Sequence, residues 1–261
     1  MRWPAVAGSF YPEDPKDLER SVREQLAAAR QPPEGASPPK ALIVPHAGYV
    51  YSGPVAATAY AALRPLRGRI ERVVLLGPSH HVPLRGLAVP DAEAFATPLG
   101  VVELDPDGVA RALGLREVRR LGSAHQWEHS LEVQLPFLQL VLGTFRLVPL
   151  AVGDARDDEV AEVLDALWGG SETLILVSSD LSHYHDYATA RRLDDATSRA
   201  ILALRPAALG PESACGRVAV RGLLVAARRR GLHAQLLDLR SSGDTAGPRD
   251  RVVGYGAYAF A

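Results

Sequence analysis

Leu174-Ile175-Leu176-Val177-Ser178-Ser179-Asp180-Leu181-Ser182-His183 begins as an unbroken apolar run and ends in groups that bind protons and metals. A run of this kind, without polar alternation, reads as a strand covered on both faces. Two other stretches have the same shape: Leu42-Ile43-Val44-Pro45-His46, and Val73-Val74-Leu75-Leu76-Gly77-Pro78-Ser79-His80-His81. Open α/β sheets place their sites beyond the carboxyl ends of such strands. The sequence therefore predicts an α/β fold with a mixed, mostly parallel central sheet and helices on both faces. His46, His80 and Asp180 should then converge on one rim.

Working outward, residues 14–30 carry helix chemistry: Asp14-Pro15 offers a cap followed by a first-turn proline, and Leu18, Val22 and Leu26 recur at helical spacing. Residues 31–40, rich in proline, break the chain. After His46, residues 47–53 read as a glycine-bounded turn leading into an alanine-rich helix over 54–63. Short strands are expected at 86–89 and 101–104. A helix over 130–142 must kink or shift its start at Pro136. A strand at 145–152 and a helix at 154–168 follow. Helices at 187–204 and 217–230 precede closing strands at 233–240 and 252–260, and polar residues 241–250 read as a mobile surface loop.

The chain has 261 residues, with 29 Lys and Arg against 30 Asp and Glu, which fits one domain over 1–261 and gives no nucleic-acid footprint. Arg228-Arg229-Arg230 close a helix, where cations complement the dipole. Cys215 is the single cysteine, so no disulfide can form within the chain and a reducing, cytoplasmic setting is expected. No stretch approaches the roughly 18 apolar residues of a membrane span.

His46, His80, Asp180, His183 and Cys215 supply the residue types that bind first-row transition metals. None is joined to another by a short metal-binding spacing, so the residues alone leave metal ligands and satisfied core groups both open. Cys215 stands just before a helix and beside Arg217, a position that favours a thiolate; the alternative is a small buried hydrophobe. His81 is expected to diverge from His80 and to edge the substrate pocket. Glu128 and Glu132, near His125 and His129, are read as stabilising the positive end of the helix that follows. His129 belongs to the pocket if that helix starts under the rim. His185 and His233 are read as surface or packing groups.

The residues also resemble a known family. Residues 5–12 (AVAGSFYP), 45–53 (PHAGYVYSG), 76–83 (LGPSHHVP), 128–132 (EHSLE) with Leu135-Pro136, 178–183 (SSDLSH) and Cys215-Gly216 occur in the order of the Memo family, whose microbial members are called AmmeMemoRadiSam system protein B. The resemblance implies a fold similar to class III extradiol ring-cleaving dioxygenases. It implies a metal set of His46, His80 and Cys215, with Asp180 and His183 lining the same pocket as acid, base or orienting groups. A thiolate in place of the dioxygenase carboxylate points toward iron or copper, with zinc also held well, and away from ring cleavage. Three functions follow. The first is a redox or oxygen-handling metal protein. The second is a non-catalytic module that holds a peptide or small molecule between Tyr49, Tyr51 and the histidines. The third is a hydrolase with Cys215 as nucleophile and His183 or His80 as base. Expected partners are a radical-SAM protein and a third component of the same system, with no nucleic acid and no membrane.

Overall fold

The computed structural model describes residues 1–31 and 37–261. In chain order the elements are α1 (Pro15–Ala28), β1 (Ala41–Val44), α2 (Tyr49–Ala61), β2 (Arg72–Pro78), β3 (Leu87–Val89), β4 (Ala94–Thr97), β5 (Gly100–Glu103), α3 (Pro106–Leu113), β6 (Val118–Arg120), α4 (Ser123–Gln126), α5 (Leu135–Leu142), β7 (Arg146–Val152), α6 (Asp157–Leu167), β8 (Thr173–Ser178), β9 (His183–His185), α7 (Tyr187–Leu202), α8 (Arg217–Arg229), β10 (Ala234–Ser241), α9 (Ser242–Thr245) and β11 (Val252–Phe260). Much of the expected break at 31–40 lies outside the described residues.

The main sheet runs β10-β11-β1-β8-β2-β7-β3-β6, with β9 added alongside β11. Its centre, β1-β8-β2-β7, is parallel. β11 flanks β1 antiparallel, and β3 flanks β7 antiparallel. Every residue of β1 and β8 is buried, as an uninterrupted apolar run in a doubly covered sheet requires. Helices α1, α2 and α5 pack together, α6 packs on α8, and α7 lies against β10 and β11. Val44 pairs with Ser178, and Leu76 with Val177, so three adjacent strands end nearly level. That register sets His46, Asp180 and His80 side by side.

The capped, proline-started α1 buries Leu18, Val22 and Leu26, as its spacing demands. Three expectations need correction. Residues 47–53 are not a turn: α2 begins at Tyr49, because Gly48 serves as its N-cap and Tyr49 is drawn into the core, its amide donating to the Phe10 carbonyl. The helix over 130–142 starts later, with Glu132–Gln134 forming a 3₁₀ turn and Pro136 falling in the first turn of α5, where its missing N–H costs nothing. Residues 241–250 are not simply a loop. Asp244 accepts from the Ser241 amide and hydroxyl and from the Tyr187 hydroxyl, which stabilises α9. The sequence reading also passed over β4, β6 and β9, which are short, and over α3, although Asp105-Pro106 caps and starts it.

Candidate metal centre

His46 leaves β1 and is buried, with 3 % of its surface exposed. Its backbone N–H donates to Asp180 Oδ1 at 2.7 Å, which ties the exit of β1 to that of β8. Its Nδ1 lies 2.8 Å from the Ser178 hydroxyl and its Nε2 3.2 Å from Cys215 Sγ. His80 leaves β2, and two of its nitrogens meet one carboxylate: the backbone N–H donates to Glu128 Oε2 at 2.6 Å, and Nδ1 is 2.9 Å from Glu128 Oε1. Ligand atoms of His46, His80 and Cys215 lie within 4.8 Å of one another. His80, Glu128 and His129 form a second such group that shares His80.

Two glycines permit this crowding. A Cβ on Gly77 would stand 2.6 Å from Ser130 Oγ, so only glycine lets the 128–132 segment close over the end of β2. A Cβ on Gly216 would stand 2.8 Å from the Ser178 carbonyl, so only glycine lets the start of α8 press Cys215 against β8. Gly216→Ala should therefore push that helix outward, at a cost of roughly 1–3 kcal/mol. Chemical denaturation compared with wild type checks the expectation; an unchanged midpoint contradicts it.

Burial governs the ionisation here. Burial, and next the charge of His80, pull His46 down to about 3, so its ring is neutral. Burial, and next His46, pull His129 down to about 4. Burial also raises Asp180, although the His46 N–H and nearby histidines act the other way. Glu128 is different. Burial pushes it up, but the hydrogen bond and charge of His80, with the amides of Ser130 and His80, overcome this and hold it at about 2. The Cys215 thiol is pushed up to about 12, first by burial and then by Asp180. The expected thiolate is thus corrected: the helix start and Arg217 do not offset the lost hydration, and a cation must displace the thiol proton.

A cavity of about 730 Å³ opens over these groups. His46, His80, His129, Asp180, His183, Cys215 and Tyr51 all line it. Tyr49 does not: its hydroxyl donates to the Val133 carbonyl at 2.7 Å and its ring packs 5.0 Å from Phe137 in the core. His81 also lies outside the lining, its ring 6.2 Å from that of His129. Phe10 joins the wall, its ring 4.8 Å from His129; the buried Tyr255 lines the interior, and Tyr184 and Arg251 complete the mouth. Arg251 stacks 4.7 Å over Tyr184, which adopts a left-handed φ of 62°.

The reading of Glu128 and Glu132 as helix stabilisers is overturned. Glu128 holds His80, while Glu132 pairs with Arg2 and accepts from the Tyr11 hydroxyl and the amides of Ala5 and Val6.

The fold and this rim define an α/β protein with a pocket at the carboxyl ends of parallel strands, in which two of the lining imidazoles meet one thiol. Residues 2–259 match the model of the Memo-like protein family. The chain is 38 % identical to a MEMO1 family protein of Methanopyrus kandleri, over 99 % of this chain and 98 % of the relative. It is 37 % identical to one of Saccharolobus solfataricus, over 99 % of each chain. It is 34 % identical to one of Sulfolobus acidocaldarius, over 100 % of this chain and 99 % of the relative. The chain belongs to the Memo-like family. Among the described residues no helix is long and apolar enough to cross a membrane.

Proposed function

We propose that the chain holds a transition metal ion through His46 Nε2, His80 Nε2 and Cys215 Sγ, with iron or copper used for redox or oxygen-handling work on a small molecule. The observation that supports this is the meeting of three ligand atoms, within 4.8 Å of one another, from the ends of three separate elements. Two imidazoles and a thiolate suit iron and copper and also hold zinc. Such an ion supplies Lewis acidity and, for iron or copper, one-electron chemistry. The rest falls to the chain. Asp180, tethered through Oδ1 to the His46 amide, keeps Oδ2 4.0 Å from His46 Nε2, where it serves as a further ligand or orients the ring. His183 lines the same cavity and is positioned to hold or release a proton beside a bound molecule. A cytoplasmic setting, resting on the lone cysteine, belongs to this reading.

The test is metal quantification after anaerobic reconstitution with ferrous or cuprous ion. Wild type should retain about one equivalent. His46→Ala and Cys215→Ser should each bind at least about 100-fold more weakly while keeping the native circular dichroism. Stoichiometric binding that both variants leave intact rules the site out.

One feature favours a second reading, a binding cleft for a peptide or small molecule. Tyr51 and Tyr184 stand 41 % and 63 % exposed at the mouth, an amphipathic collar suited to recognition. On that reading a radical-SAM protein and its third component are candidate partners, and a pull-down should recover them equally with wild type and metal-site variants. The hydrolase reading fares worst: burial pushes the Cys215 thiol up to about 12, and the imidazole its Sγ meets, at 3.2 Å, is that of His46, not that of His183 or His80.

A further inference from the structure

We propose that Ser178, backed by Gln134, and Glu128 are positioning residues that fix His46 and His80 as Nδ1–H tautomers, leaving both Nε2 atoms bare toward the cavity. The inference rests on the metal-binding reading for its purpose. The tautomers themselves follow from counting donors and acceptors in the buried network.

Ser178 is fully buried, and its hydroxyl has three neighbours but one proton. The Ser130 carbonyl, 2.6 Å away, can only accept, so the proton goes there. Gln134 Nε2 lies 2.7 Å away. The orientation of that amide is set at two places: Nε2 also donates to the Pro45 carbonyl at 3.0 Å, and Oε1 accepts from the Tyr60 hydroxyl at 2.6 Å. Nε2 therefore donates to Ser178 Oγ and takes one lone pair. The last neighbour is His46 Nδ1 at 2.8 Å, and the hydroxyl has only an acceptor site left for it. Nδ1 must carry the proton.

His80 reaches the same state by a different route. Glu128 accepts the His80 amide on Oε2 and the Ser130 amide on Oε1, and a carboxylate so placed has nothing to donate. His80 Nδ1, 2.9 Å from Oε1, is the donor. In the neutral ring Nε2 is then bare. Ser130 joins the two halves: its carbonyl takes the Ser178 proton, its amide serves Glu128, and its hydroxyl donates to the Pro78 carbonyl at the end of β2. The strand exits and the 128–132 segment thus form one hydrogen-bonded body, and the state each ring needs for metal ligation exists without a ligand. Outer hydrogen bonds of this sort fix ring orientation and tautomer in metal sites.

Nitrogen-15 NMR of histidine-labelled, metal-free protein reads the tautomers directly, with His46→Gln and His80→Gln variants giving the assignments. Recorded at a pH where the rings are neutral, both should show protonated Nδ1 and bare Nε2. In Ser178→Ala, His46 should shift toward Nε2–H while His80 stays unchanged, and the zinc dissociation constant should rise roughly 10- to 100-fold. An Nε2–H signal from either ring in the wild-type protein overturns the proposal, whether or not Ser178→Ala folds. An unchanged His46 signal in folded Ser178→Ala overturns the part given to Ser178. If the wild-type tautomers are as stated but zinc does not bind, the metal reading fails and the tautomer assignment stands.

Discussion

Replacing Arg2 with methionine should lower the unfolding free energy by roughly 3–5 kcal/mol, because it strips a buried carboxylate of its countercharge. Arg2 and Glu132 are 6 % and 0 % exposed, far from the surface pairs that contribute little. Glu132 keeps three donors without Arg2: the amides of Ala5 and Val6 and the Tyr11 hydroxyl. It loses its only cationic partner among the described residues. Arg2 also donates to the carbonyls of His125 and Glu128, which would be left buried and unpaired. Glu132→Gln should cost a similar amount, since a buried guanidinium is then left without its counterion. The double variant should cost clearly less than the two single losses added together, as charges that depend on one another require. Urea denaturation at constant m-value measures all three; a loss under about 1 kcal/mol for Arg2→Met contradicts the argument. The loss should also reach the metal site. Arg2 holds the carbonyl of Glu128, whose carboxylate holds His80, so folded Arg2→Met should bind zinc more weakly than wild type.

This coupling shows which parts of the molecule could be read from sequence. The parallel centre was legible because β1, β2 and β8 are continuous apolar runs, and strand exits of a parallel sheet must share a rim whatever their separation in sequence. Cys215-Gly216 was legible as a helix start but not as a neighbour of His46: that proximity depends on a missing Cβ against the Ser178 carbonyl. Glu128 was misread because an acidic residue before a helix has an adequate local explanation, and nothing local reveals a histidine 48 residues earlier. Tyr49 was misplaced for a related reason. It stands two residues before Tyr51, and on a helix residues i and i+2 point to nearly opposite sides, about 200° around the axis, so one enters the core and the other the cavity. The pattern is consistent: periodicity and strand ends carry over into structure, whereas long-range polar pairing does not announce itself.

The same burial that shapes the site should make the metal-free protein sensitive to acid. His46, His125 and His129 titrate in the fold at about 3, 4 and 4, each chiefly through burial. An unfolded histidine titrates near 6.5, so below that pH the unfolded chain takes up protons that the fold refuses. The sign is therefore fixed: the stabilising contribution is complete above about pH 6.5 and is lost as pH falls toward the folded values. Between pH 7.5 and 5.0 the loss for a single histidine so placed is about 2 kcal/mol, against a typical total of 5–15. His125 is the decisive position, because it shares the burial without belonging to the proposed ligand set. Its Nε2 lies 2.9 Å from the Ala88 carbonyl, which can only accept, and its buried Nδ1 has no partner among the described residues, so a second proton there would face no acceptor. His125→Gln can keep the donor to Ala88 while removing the titration. That variant should lose about 2 kcal/mol less than wild type between the two pH values, measured from urea midpoints on metal-free protein. Equal losses in the two proteins would show that His125 is protonated as readily in the fold as outside it, contrary to the environment its ring occupies.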